Sequence, residues 1–297
     1  MKSLPIYKVY IIFPTPSLSG LVNYDQKLWG VSDENYKLYE INLDSVKEYC
    51  FDQNLQVHLE SMEYKQKKKV KPDFESISLF KRWNKEYFFL LGSFSGELRN
   101  KLYFLDMPSL ILSAVFEAQI MSTTVLNKPT NFNIEGHFFK EQQLYLLNRG
   151  NEHSSSSLIS LSDFENKLNF QMNKNSSAVI SKKIELSINT ITDVFIGEFE
   201  GYQIHWTEAL LKNQKEIYFL ATVEKTTNSF DDGQVLASFV GLFDIENLNV
   251  LRMYKILDGE KAEGMAILGD RMYFCIDTDN PHRFSELFYF EMDDFYK

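Results

Sequence analysis

The sequence predicts an all-β protein, a β-propeller of five blades, and three observations point there. Its apolar runs are short and bounded by Gly, Asn, Asp or Ser, and none keeps a long 3.6-residue apolar period. Aromatic residues make up 15% of the chain, with 25 Phe and 16 Tyr, and these favour strands. A strand–turn–strand unit recurs, headed at Ser19, Glu75, Glu135, Glu208 and Glu263, with steps of 56, 60, 73 and 55 residues. Several strands per unit at roughly that spacing is the propeller pattern.

The elements follow in order. An apolar run at 7–13 is stopped by Pro14 and Pro16. The first repeat has strands at 18–22, 27–33 and 37–41, and the second at 73–79, 87–93 and 101–105. The third occupies 133–139, 144–150 and 158–161, the fourth 206–211, 217–222 and 236–243, and the fifth 262–267, 272–277 and 287–290. Outer strands are expected at 55–59, 110–120, 179–186 and 250–256. The fifth repeat runs out of chain, and the N-terminal run 7–13 is the strand that completes it, so that no open edge is left. The long step is assigned to an insertion at 163–200, with strands at 164–172 and 193–199 around a Ser/Asn-rich turn. Counted as a degenerate blade, the insertion would make the ring six-bladed; a β-sandwich is the remaining alternative. No composition shift or linker divides the chain, so residues 1–297 form one domain. Aromatics at the second-strand positions, Trp29, Tyr87, Tyr145, Tyr218 and Tyr273, are read as packing between blades.

A formal net charge of -10 and a pI near 5.1 argue against a general nucleic-acid binder. The one basic run, 65–71, is read as a solvated loop or strand edge. Cys50 and Cys275 lie in no CxxC pair, which removes the usual zinc and redox motifs; two buried thiols in a reducing compartment is the preferred reading. The N-terminus has neither a long apolar segment nor a small-residue cleavage site, and no apolar run spans a bilayer. A cytoplasmic monomer is expected.

The candidate site comes from the register of the repeats. Ser19 to Asp33, Glu135 to Arg149, Glu208 to Thr222 and Glu263 to Asp277 are each 14 residues. In antiparallel pairs these partners meet at one rim. The first strand of each blade lines the channel, so Ser19, Glu75, Glu135, Glu208 and Glu263 are expected to converge there. Four carboxylates together need a cation, a shared proton or basic partners. Hard oxygen donors suit calcium, with magnesium second; the alternative is that each Glu only anchors a neighbouring strand. Asp33, Arg149 and Asp277 are the candidate catalytic groups: Arg149 to clamp an anion, the aspartates to position water. His205, Thr222, Glu224 and Asn151 are candidate ligand contacts, and Asp279 stands at the same rim. A small polar or phosphorylated ligand, or a protein, would dock at this mouth.

The motifs KPDFE at 71–75, NIEG at 133–136 with NRGN at 148–151, TEA at 207–209, DDGQV at 231–235, and AEG at 262–264 with DTD at 277–279 resemble an uncharacterised bacterial β-propeller family over most of the chain. That resemblance implies a fold and no activity. A more distant likeness is to the calcium-activated nucleotidases, the soluble apyrases. Leu18-Ser19-Gly20-Leu21-Val22 with 29–33 resembles their first blade, and Glu75, Glu135 and Glu263 their ring glutamates. It implies a five-bladed propeller with calcium held in the channel. The chain departs from it at Glu208, where a Ser is expected, at the position of His205, and at the nucleotide-contacting basic residues. Phytase-like esterase propellers share the Glu-Gly pattern. Two function classes stay open: a propeller that binds a ligand or protein around a structural calcium, and a calcium-dependent hydrolase of a phosphorylated or ester substrate.

Overall fold

The computed structural model describes residues 2–82, 84–96, 98–121, 132–150, 155–171, 180–225, 233–278 and 280–297. Strands dominate it, and they are arranged as successive antiparallel meanders. The first sheet runs through Leu18–Tyr24, Lys27–Ser32, Lys37–Asn42 and Ser45–Cys50. The second runs through Phe74–Arg82, Lys85–Gly92, Lys101–Met107 and Ile111–Met121. The third has Ile134–Lys140, Gln143–Asn148, Ser156–Ser162 and Ile180–Val194. The fourth has His205–Leu211, Glu216–Lys225, Gln234–Asp244 and Asn249–Asp258. The last meander, Lys261–Leu268, Arg271–Asp277 and Glu286–Glu291, is joined at its outer edge by Tyr7–Val9, antiparallel, with Tyr7 opposite Tyr289.

Short turns fix these meanders. Asp25 and Gln26, the two residues between the first pair of strands, both have positive φ (50° and 58°), as the right-handed twist of a two-residue hairpin requires. The first strands touch their neighbours in cyclic order, the last against the first. Apolar clusters fill the gaps between consecutive sheets. Trp29 and Val31 meet Phe74 and Phe88; Phe89 and Phe104 meet Leu144 and Ile159. Leu147 meets Trp206 and Phe219; Leu220 and Val240 meet Met265 and Phe274. Tyr273 and Leu287 meet Leu18 and Tyr39. The architecture is propeller-like.

Several expectations are corrected. The outer strand of the first sheet is Ser45–Cys50; residues expected at 55–59 as a strand form the helix Gln53–Glu60, capped by the Asp52 carboxylate, which accepts from Leu55 N at 3.0 Å. The basic run is the helix Tyr64–Val70 rather than a loop. In the insertion, Phe164–Gln171 is a helix where the sequence predicts a strand from 164, with Phe164 and Leu168 facing the core; residue 172 and the Ser/Asn-rich turn after it lie outside the described residues. Residues 193–199 divide between the end of Ile180–Val194 and a hairpin of Glu198–Phe199 with Tyr202–Gln203. Ile180–Val194 also pairs in parallel with Ile111–Met121, fusing the second and third sheets into one of eight strands. No helix among the described residues is long and apolar enough to cross a membrane. Cys50 and Cys275 are both free thiols, Cys275 buried and Cys50 only partly so.

Candidate functional site

Each first strand carries a bulge at the same level. The pairing with the second strand shifts between Leu18 and Gly20, Phe74 and Ser76, Ile134 and Gly136, Trp206 and Glu208, and Ala262 and Met265. A bulge releases one residue from the ladder and re-aims its side chain. The residues skipped are Ser19, Glu75, Glu135 and Thr207, with Glu263 and Gly264 skipped together in the last sheet. The fourth position of the ring is therefore Thr207. Glu208 lies one residue further on, and a one-residue step in a strand reverses the direction of the side chain.

The two hydroxyl members tie adjacent strands together. Ser19 Oγ donates to the carbonyl of Phe74 at 2.5 Å, and Thr207 Oγ1 to that of Ala262 at 2.6 Å. Each acceptor immediately precedes a ring glutamate. The three glutamates converge: Glu75, Glu135 and Glu263 place carboxylate oxygens within 4.8 Å of one another. Gly264 permits the closest approach, since a Cβ there would lie 2.5 Å from the carbonyl carbon of Gly20.

Basic groups surround the three. Lys261 Nζ is 2.5 Å from Glu263 Oε1 and 3.9 Å from Glu135 Oε2. Arg149 holds Glu135 at 3.3 Å and Glu224 at 2.6 Å. Lys71 pairs with Asp33 and, at 3.2 Å, with Asp73, which also takes Arg99 at 3.1 Å. Asn133 Nδ2 donates to Glu135 Oε1 at 2.6 Å. The carboxylates of Asp33, Asp73, Glu75, Glu135, Glu224 and Glu263 thus outnumber Lys71, Arg99, Arg149 and Lys261. Glu75 bears the excess. Among the described residues no side chain donates to its carboxylate, and its pKa stands well above the ordinary range through desolvation, then through the charges of Asp73, Glu135 and Glu263. Glu263 is raised to about 7, first by burial, with Lys261 opposing and Glu135 adding. Burial would discharge Lys261, but Glu263 and Glu135 outweigh it and hold the ammonium charged. Asp33 Oδ1 is buried and has no hydrogen-bond partner among the described residues.

The other candidates fall around this cluster. Glu208 is buried outside the group of three glutamates, though the charge of Glu263 reaches it, and it accepts from Ser76 Oγ at 3.1 Å and Ala209 N at 2.8 Å. His205 is buried against Ser156, 3.1 Å from Nδ1 to Oγ; burial first, then Arg149, lowers its pKa to about 4. Asp277 lies opposite Lys261 at the same rim. Thr222 Oγ1 donates to the Ala237 carbonyl at 3.3 Å, within its own sheet. Asn151 and Asp279 fall outside the described residues.

Sequence reasoning passed over Lys71, Asp73, Arg99 and Lys261. A signal for two of them was present. Residues two before each ring position, Ser17, Asp73, Asn133, His205 and Lys261, lie on the same side of the strand as the ring residue in a period-2 element. Lys71 reaches the site because its helix ends there, its backbone N–H closing on Lys67 O.

A family model described as a family of unknown function, DUF6929, matches residues 14–292. The chain belongs to that family. A comparison of this DUF6929 member with curated proteins gives no match. Among solved structures it is similar to the glutaminyl cyclase of Myxococcus xanthus, at 10% identity and a TM-score of 0.47, covering 97% of this chain and 94% of that one. It is similar to a luciferin-regenerating enzyme at 10% identity and 0.49, covering 97% and 95%. A β-xylosidase matches at 9% identity and 0.49, covering 97% and 94%. Likeness at this level carries no functional argument for the DUF6929 chain.

Proposed function

We propose that this DUF6929 protein is a five-bladed propeller, its last blade completed by the N-terminal strand, that acts as a binding module around a calcium ion at one end of its channel. The observation that carries the reading is the convergence of Glu75, Glu135 and Glu263 within 4.8 Å, from three separate inner strands. Their donor set is all oxygen, which suits a hard cation. Among the described residues Asp33 Oδ1 has no hydrogen-bond partner and no side chain donates to the Glu75 carboxylate, which fits a cation better than a purely internal salt-bridge network. Lys261 and Arg149 already offset Glu263 and Glu135, so Glu75 would supply most of the free charge, with magnesium the weaker ion. Lys71, Arg149 and Lys261 are each engaged by carboxylates, so a small polar or phosphorylated ligand would meet the ion rather than a bare basic group. A cytoplasmic monomer belongs to the same proposal; two free thiols support a reducing compartment.

Chelator-treated protein titrated with calcium by calorimetry tests this. Binding of one ion, with a raised melting temperature and at least tenfold weakening in Glu75→Gln, is expected. No heat and no melting shift with calcium or magnesium would remove the cation, leaving the glutamates as a structural network.

A further inference from the structure

The bulged ring divides the channel. Beyond it, on the side away from Glu75, Glu135 and Glu263, lies a cavity of about 430 Å³, a size that suits a small organic ligand. All five inner strands line it, through Leu21, Ile77, Phe139, Leu210 and Met265 among others, and its walls are mainly apolar. Ile267, Leu79 and Asn23 at the strand ends are only partly buried, so the cavity opens to solvent there.

Two of its polar lining groups are deeply buried. Glu208 is 2% exposed. Ser76 Oγ, the Ala209 N–H and the His137 backbone N–H donate to its carboxyl group, and among the described residues no basic side chain is within ion-pair distance. His137, also 2% exposed, shares a 2.7 Å hydrogen bond with Ser78 through Nε2, while its Nδ1 has no partner among the described residues. A buried carboxyl without a cation keeps its proton: burial first, with the charge of Glu263 adding, holds Glu208 well above the ordinary carboxylate range, and an ammonium group entering the cavity would take that proton's place, the proton leaving to solvent. The other four sheets have Gly20, Ser76, Gly136 and Gly264 at the equivalent position; only the fourth projects an acid into the cavity.

We propose that this cavity is a binding site for a small organic cation, a protonated amine on an apolar body, with Glu208 as its counter-ion. The ammonium group pairs with the Glu208 carboxylate, and the hydrocarbon part fills the space between Leu21, Ile77, Leu210 and Met265. The site lies on the other side of the ring from the proposed calcium site, and Glu263 is the one of the three glutamates whose charge reaches Glu208.

Primary amines of graded bulk (butylamine, benzylamine, phenethylamine and cyclohexylmethylamine) are titrated into the full chain at neutral pH by ligand-observed NMR and calorimetry. Each is paired with the alcohol and the carboxylic acid on the same body. At least one amine is expected to bind tenfold or more tighter than its alcohol, with the acid weakest. Glu208→Gln should abolish that preference while the alcohol's affinity holds within about threefold, and Glu75→Gln should leave the amine unaffected. Equal binding of amine and alcohol, binding by none of the amines, a preference kept in Glu208→Gln, or one lost in Glu75→Gln overturns the assignment. The amine-to-alcohol ratio is read on the unmodified protein, so a misfolded variant does not remove the test.

Discussion

Gly136 leaves the space that Glu208 occupies: a Cβ at residue 136 would lie 2.9 Å from Glu208 Oε1 and 3.0 Å from Glu208 Cα. The first contact is the end of a flexible side chain, and the second is backbone that would have to give by a few tenths of an ångström. Gly136→Ala is therefore expected to destabilise the fold by about 1–3 kcal/mol. The cost should persist in Gly136→Ala combined with Glu208→Gln, because the backbone contact sets it. Urea denaturation of the three variants checks this; a change under about 0.5 kcal/mol in Gly136→Ala contradicts the packing.

Arg149 joins Glu135 to Glu224; both acids are buried and Arg149 is half-buried. Removing it takes the guanidinium from both buried carboxylates. Arg149→Met should cost about 3–5 kcal/mol, and Arg149→Lys should recover only part, since an ammonium lacks the planar fork that spans both acids. Glu224→Gln should cost less, because Arg149 keeps Glu135. Chemical denaturation orders the three variants; equal losses for Arg149→Met and Glu224→Gln would contradict the bridge.

His205 makes stability depend on acid. Its folded pKa of about 4 lies below the ordinary histidine value, first through burial, then through Arg149, with Glu224 opposing. A depressed folded value favours the neutral ring, so this contribution is full above about pH 6.5 and is lost as pH falls from there toward 4. The slope of unfolding free energy against pH between these limits should drop by about one proton in His205→Gln. An unchanged slope would contradict a neutral buried ring.

The thiols differ in access. Burial pushes the Cys275 thiol well up, and it donates to Leu18 O at 3.0 Å; Cys50 is only partly buried. A thiol reagent on native protein should label Cys50 and reach Cys275 only after unfolding. Equal labelling rates read by mass spectrometry would contradict that difference.

Much of the fold is legible in the chain because strand pairing leaves local marks. The strand–turn–strand units at 18–33, 133–150 and 262–277 carry their turn residues and apolar runs in plain view, and the structure forms them. Helices at 53–60 and 64–70 were not legible: the second is a lysine-rich surface segment with no buried residue to give it a period. The helix Phe164–Gln171 hides for a related reason, since among its described side chains one turn-to-turn pair, Phe164 and Leu168, enters the core. At the site, spacing alone found Glu75, Glu135 and Glu263. It placed the fourth position at Glu208 instead of Thr207 because a bulge adds one residue to a strand without changing its composition. Long-range ion pairs, such as Lys71 with Asp33, leave no trace in spacing at all.

The calcium reading is tested most directly by crystals grown from chelator-treated protein and soaked in a terbium salt, a calcium substitute with strong anomalous scattering. The account predicts an anomalous peak between Glu75, Glu135 and Glu263, at carboxylate-oxygen distances of about 2.3–2.6 Å, which disappears in Glu75→Gln. No peak at the ring, with Lys261 still paired to Glu263, would contradict it.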